Sequence, residues 1–178
     1  MAKIRCGFAQ CDITPAPYES FQDGYGGRMS PATAVRDNTY AKVCSIESEG
    51  DRFVIISVDV CGFDPYLSTV IKDTIKYYAG IPEDKVALCA THTHTGPACG
   101  VLASVPKNMI YWYKSAEAIA KAVKAAIDNE TDGAFEFKLC DKPLVTIYNR
   151  VGREYCDKRV RIAVFTDTEK NIKGVIAN

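Results

Sequence analysis

Histidine is nearly missing from this chain. Only His92 and His94 occur in 178 residues, so a three-histidine metal site cannot be assembled from the chain alone. Also missing is any C-x-x-C pair among the eight cysteines, Cys6, Cys11, Cys44, Cys61, Cys89, Cys99, Cys140 and Cys156. That argues against a structural zinc ribbon. Most of these cysteines sit in apolar, strand-like runs such as Val43-Cys44-Ser45-Ile46 and Ala87-Leu88-Cys89-Ala90, where a reduced thiol behaves as a small hydrophobe. Cys99 is the exception, because it falls in the loop that follows the histidines.

An excess of charge is absent too. Twenty-two basic residues balance 22 acidic ones, which leaves no electrostatic case for nucleic acid or an anionic membrane as partner. The local basic cluster Arg150, Arg153, Lys158, Arg159 and Arg161 is diluted by Glu154 and Asp157 and reads as a solvated or internally paired surface. No apolar run approaches the ~18 residues that cross a bilayer, so no transmembrane segment is expected. The start, Met1 to Cys6, lacks the apolar stretch of a signal peptide; taken as a native start, it predicts a cytoplasmic protein.

What is present is an ordinary globular composition, 47% apolar and 25% charged, enough for a single domain over residues 1–178. Residues 3–11 read as a strand. Residues 15–39, rich in Gly, Pro and polar side chains, read as a long loop of the kind that is often functional. Two β-rich runs, 40–47 and 52–60, are joined by a polar turn and predict a hairpin. Asp64, Pro65 and Gly80 are the N-cap, first position and terminator of a helix. Its inner face is Leu67, Val70, Ile71, Ile75 and Tyr78. Residues 86–90 have the composition of a buried strand. A second helix over about 108–128 turns Trp112, Ile119, Val123 and Ile127 inward. Residues 134–148, 159–166 and 172–177 are further strand candidates. The fold class expected is α/β: a mixed β-sheet core with covering helices. Because the sequence stops within an apolar run at Gly174 to Asn178, the expectation is an incomplete portion of a larger domain, self-associating through exposed sheet edges.

The sharpest local feature is Thr91-His92-Thr93-His94-Thr95-Gly96-Pro97, directly after the apolar run 86–90. In extended chain, residues two apart share a face and lie ~6.6 Å apart. Both imidazoles then address one site and the threonines face away. The C-terminal mouth of a strand is where α/β proteins commonly bind ligands, and imidazole suits zinc and similar metals. The plainer alternative is a pair of histidines hydrogen-bonded to nearby backbone. H-x-H also opens the amidohydrolase barrels, but those need further histidines downstream, which this chain lacks.

The run from Thr91 to Pro97 resembles the T-H-T-H-[ST]-G-P signature of the neutral/alkaline non-lysosomal ceramidase family. Four other segments agree in order: Gly7-Phe8-Ala9 to Asp12-Ile13-Thr14-Pro15, Gly24-Tyr25-Gly26-Gly27-Arg28, Ser57-Val58-Asp59 and Asn149-Arg150. The resemblance implies a zinc-dependent hydrolase of amide (N-acyl) bonds, with His92 as a Zn2+ ligand. It implies that His94 reaches substrate and oxyanion, and that Arg150 lies at the same pocket on the substrate side. Gly24 and Tyr25 belong to a glycine-rich loop that reads either as one that lets backbone approach the substrate or as a plain turn before the first hairpin. The family's other ligands, a histidine, a glutamate and a tyrosine, are expected beyond residue 178. The chain is then the front part of a catalytic domain, inactive in this form, whose partner is a small-molecule N-acyl substrate. The continuation Thr95-Gly96-Pro97-Ala98-Cys99 departs from the family's usual Ser-Gly-Pro-Gly-Gly, so a smaller N-acyl compound stands beside ceramide as substrate. Asp12 and Asp59 read either as turn caps or as carboxylates that orient a metal-bound histidine. The competing functional reading is a non-catalytic module that keeps the pocket walls and binds a small ligand or a protein.

Overall fold

The antiparallel frame of the molecule comes from the first three strands, β1 (Ile4–Asp12), β2 (Tyr40–Ser48) and β3 (Asp51–Val58). It is seen in a computed structural model that describes residues 4–26, 28–101, 105–140, 151–152 and 156–178. The expected hairpin is present, β2 and β3 pairing from Ala41↔Val58 to Ser48↔Asp51. Its two turn residues, Glu49 and Gly50, have φ of 56° and 86°, the doubly positive combination whose twist matches a two-residue hairpin. The long loop between β1 and β2 carries no strand or helix among its described residues beyond a single bridge, Gln22↔Pro97.

Helix α1 (Pro65–Ala79) begins and ends where its capping residues predict. Asp64 Oδ1 accepts the Leu67 amide at 2.7 Å, and Gly80 closes the helix at φ 70°. Strand β4 (Val86–Ala90) returns parallel to β3, Val54↔Val86 to Val58↔Ala90. Here the expectation of a buried strand is corrected. β4 has β3 as its neighbour on one side and forms the sheet edge among the described residues, and Cys89 is exposed. A five-residue apolar run does not reveal how many neighbours it has.

Helix α2 (Met109–Asp128) is capped by Asn108, whose Oδ1 accepts the Ile110 and Tyr111 amides. It lies along α1 and across β1 and β2. Leu67, Ile71 and Ile75 of α1 and Trp112, Ile119 and Val123 of α2 join Val54, Ile56 and Val58 of β3 in one core. Tyr78, expected on the inner face of α1, is 40% exposed; its hydroxyl is held by Glu117 of α2, an amphipathic compromise usual for tyrosine.

Strands β5 (Thr131–Cys140), β6 (Val160–Asp167) and β7 (Ile172–Ala177) complete a seven-stranded sheet of order β4-β3-β2-β1-β5-β6-β7. The expected strand 134–148 thus starts earlier, and its residues 141–148 lie outside those described. With β3–β4 parallel and every other pair antiparallel, the sheet is mixed and the fold α/β. The helices pack on one face. The other carries a smaller cluster of Cys6, Cys44 and Phe165 and, on β5, Phe137 at 80% exposure. Of the basic cluster, Arg159 and Arg161 both bond Asp157, so this part of it is internally paired. No described helix is long and apolar enough to cross a membrane.

Candidate metal centre

Parallel pairing makes β3 and β4 end side by side, at Val58 and Ala90. The segments that leave them stay together: Thr91 N donates to Val58 O at 3.0 Å, and Asp64 N to Cys99 O at 3.4 Å. The long loop joins as a third wall through Gln22↔Pro97 and the bond from Ala98 N to Phe21 O at 2.8 Å. Trp112 Nε1 donates to Ala98 O at 2.6 Å and anchors this corner to α2. Both histidines lie at the meeting of the three segments.

The histidines converge, but not as an extended strand would make them. β4 ends at Ala90, and His92 has a φ of 62°, the left-handed region that costs an L-residue about 1–2 kcal/mol. Such strain persists where the surroundings impose it and is common at functional sites. The turn sets His92 Nε2 at 3.2 Å from His94 Nε2. The threonines do pair away from the rings, Thr93 Oγ1 lying 3.1 Å from Thr95 Oγ1.

The tautomer of His92 follows from its partner. Its Nδ1 lies 2.6 Å from the Cys61 carbonyl oxygen, which can only accept, so Nδ1 carries the proton and Nε2 the lone pair. This is the arrangement a metal-binding histidine adopts. Adjacent nitrogens on a tetrahedral zinc, at Zn–N of about 2.0–2.1 Å, stand roughly 3.3 Å apart, and the two Nε2 atoms meet that spacing. The donor set therefore fits zinc. The plainer expectation, histidines bonded to backbone, is realised in the same contact, which leaves Nε2 free to accept a metal.

Gly24 and Tyr25 form the wall beside His94. Tyr25 meets its ring edge-on at 4.9 Å between centroids, with Arg28 stacked over Tyr25 at 5.0 Å. Gly24 has a φ of 112°, and a Cβ at that position would collide with the Cα, Cβ and Cγ of His94. Glycine is required here twice over, by conformation and by space. Gly24→Ala is therefore expected to weaken zinc binding at least about 10-fold, as displacement of an orienting contact does, with far-ultraviolet circular dichroism retained. A competition titration against a chromophoric chelator reads the change. Unaltered affinity would mean that Gly24 does not set the position of His94.

Two residues that the sequence reading did not place in a site are here. Cys61 is 5% exposed and its Sγ lies 3.7 Å from His92 Nδ1. Burial, and then the charge of Asp23, push its thiol up from the ordinary value. Asp23 is fully buried. Its Oδ2 accepts the Cys99 amide at 2.7 Å, the Cys99 thiol at 3.1 Å and the Gly100 amide at 3.1 Å, while Oδ1 has no hydrogen-bond partner among the described residues. Burial and the bond to Asp23 push the Cys99 thiol up to about 12, which makes it an inert structural group. Asp12 caps a local turn, its Oδ1 accepting the Thr14 amide at 2.7 Å, whereas Asp59 reaches across to the start of β2, its Oδ2 accepting the Tyr40 amide at 2.9 Å. Arg150, with Asn149, lies outside the described residues.

A cavity of about 490 Å³ opens on the threonine side of the turn, walled by Thr93, Thr95, Arg28, Asp59 and Asn38 among others. Neither histidine lines it. The chemistry of the donor set, not the size of this cavity, locates the site.

A family model described as neutral/alkaline non-lysosomal ceramidase, N-terminal, matches residues 4–139. Among solved structures, neutral ceramidase from Pseudomonas aeruginosa superimposes on 99% of this chain with a TM-score of 0.82 at 18% identity. A ceramidase complexed with C2 does so on 99% of this chain, with a TM-score of 0.81 at 18% identity. At that identity the likeness concerns the fold. In each case 31% of the other chain is covered, so this chain spans about a third of their length. No curated protein matches the sequence.

Proposed function

The chain belongs to the neutral/alkaline non-lysosomal ceramidase family, and on that premise we propose that it forms the metal-binding part of a zinc-dependent hydrolase of N-acyl (amide) bonds. The observation that carries this reading is the convergence of His92 Nε2 and His94 Nε2 at 3.2 Å, with His92 held in the metal-binding tautomer. Zinc, when bound, supplies Lewis acidity toward the amide carbonyl and makes water acidic enough to react near neutral pH.

The side chains then divide the remaining work. His92 holds the metal through Nε2. His94 lies close enough to the same point to share the cation or to donate to a substrate oxygen, and one such donor is worth about 3 kcal/mol where negative charge develops. Tyr25 and the backbone of Gly24 limit the approach of substrate on the His94 side. Arg150 is proposed as a substrate-side cation. Ala98 and Cys99 stand where the family usually carries glycines, but both are fully buried, so ceramide and a smaller N-acyl compound both stand as candidate substrates.

The 178 residues contain two histidines, whereas the resemblance implies a four-ligand site of two histidines, a glutamate and a tyrosine. Turnover is therefore proposed to need ligands from outside these residues. A second reading, a ligand-binding module without catalysis, draws support from the small donor set: among the described residues Cys61, His92 and His94 are the cluster able to hold a metal.

A short-chain N-acyl amide of a fluorescent amine tests the proposal. Its anisotropy with the zinc-loaded chain is expected to report zinc-dependent binding without release of free amine. His94→Ala is expected to weaken that binding about 10-fold, the equivalent of one good hydrogen bond. Binding indifferent both to zinc and to His94 would count against the substrate assignment.

A further inference from the structure

Resting on the reading that zinc binds at His92, we propose that Asp23 is the counter-charge of the centre, a positioning residue that favours the cation through space without ligating it. Metal-binding histidines commonly give their second N–H to a carboxylate, which fixes the tautomer and strengthens the ring as a donor. In this chain the two tasks fall to two residues. The Cys61 carbonyl takes the His92 Nδ1–H, and Asp23 brings the charge.

Three observations support it. The first is burial without compensation. Asp23 is fully buried, and its Oδ1 has no hydrogen-bond partner among the described residues. Its Oδ2 meets only neutral donors, the Cys99 amide, the Cys99 thiol and the Gly100 amide. Arg28, five residues on, is committed to Gln22 Oε1 and the His94 carbonyl. A buried carboxylate without an opposite charge is costly, and a divalent cation at the neighbouring histidines offsets that cost.

The second is the asymmetry of those bonds. All three donors converge on one oxygen, which ties the long loop to the segment after Pro97. A neutral side-chain amide has such an oxygen too. The tie therefore accounts for an acceptor at this position, but not for a charge.

The third is placement. Gly24, the next residue, lies against the Cα, Cβ and Cγ of His94. Cys61, whose Sγ lies 3.7 Å from His92 Nδ1, feels the Asp23 charge, which adds to burial in pushing its thiol up. The charge thus reaches the centre from the Cys61 side and leaves His92 Nε2 to the metal. At an effective dielectric of ~20, a unit charge ~10 Å from a divalent ion alters its affinity by roughly 100-fold before solvent and salt reduce the effect.

Asp23→Asn tests the assignment, because it keeps an oxygen for the three donors and removes the charge. Zinc affinity, read by competition with a chromophoric chelator, is expected to fall at least about 10-fold. The metal-free variant is expected to melt at the wild-type temperature or above it, since an uncompensated buried charge is gone. Asp23→Ser, also neutral and also carrying an acceptor oxygen, is an independent second variant with the same expected fall in affinity. Wild-type zinc affinity in either folded variant would overturn the counter-charge and leave zinc at the histidines. Affinity and melting temperature falling together in Asp23→Asn would overturn it as well, by reducing Asp23 to a tie between two loops. Failure of the wild type itself to bind zinc would overturn both this proposal and the metal reading beneath it.

Discussion

Glu130→Ala is expected to lower the unfolding free energy by about 3–5 kcal/mol, the cost of breaking a buried ion pair from one side. Glu130 follows the end of α2, and its side chain is fully buried. Arg52 clamps it with both arms, Nε to Oε1 at 2.7 Å and Nη2 to Oε2 at 2.9 Å, and Ser45 donates to Oε1 at 2.7 Å. Arg5 adds a looser contact at 3.6 Å. One carboxylate therefore fastens α2 to β1, β2 and β3. Its loss strands Arg52, whose side chain is 29% exposed, and partial hydration of that guanidinium places the effect toward the lower end of the range.

The same group gives the protein an acid limit. Burial pushes the Glu130 carboxyl up, but the bonds from Arg52 and Ser45 outweigh it and bring the group below its ordinary 4.5. A depressed carboxyl is protonated more readily in the unfolded chain, so its stabilisation is complete above about pH 4.5 and fades as the pH falls through the lower folded value. Urea titrations at pH 7 and through this acid window read both effects. The wild type loses stability over the window, and Glu130→Ala loses less because its contribution is already gone. A change below about 1 kcal/mol at pH 7 would show the network to be ornamental. Glu130 bonds β3 through Arg52, at the opposite end from Val58, so zinc affinity of the folded variant is expected to be unchanged.

His92→Ala and His92→Gly are expected to lose zinc together and to differ in stability. Each removes the Nε2 donor and the bond to the Cys61 carbonyl, so affinity falls by more than the roughly 10- to 100-fold that loss of an outer partner costs. The backbone separates them. At a φ of 62° alanine keeps the strain that histidine bears and glycine does not, so the glycine variant is expected to be more stable by about 1 kcal/mol. Zinc titration and thermal melting of the metal-free forms measure the two effects. Equal stability would mean that the strained turn is absent in solution, and retained zinc would remove His92 from the centre.

Local signals carried most of the fold. The Asp64-Pro65 start and Gly80 stop of α1 are backbone chemistry written within a few residues, as is the polar two-residue turn between β2 and β3. The position of β4 at the sheet edge was not legible, because Val86 to Ala90 looks the same with one neighbour or two. At the site, His92 and His94 were legible as a pair, but the physical reason was not: their convergence comes from a left-handed turn at His92, not from extended chain. Cys61 and Asp23 were hidden for another reason. Their roles depend on partners 31 and 76 residues away, and nothing in Val58-Asp59-Val60-Cys61 distinguishes that thiol from the core cysteine Cys44. Glu130 was hidden likewise, in a polar stretch that reads as a helix end.

Zinc content of the purified 178-residue chain, measured by elemental analysis after exchange into metal-free buffer, bears most directly on the central claim. Close to one zinc per chain is the expected result, since two imidazole nitrogens already stand at the spacing of a bound metal. Zinc at trace level, with none regained on adding a slight excess, would contradict a metal centre in this chain and leave His92 and His94 as a hydrogen-bonded pair.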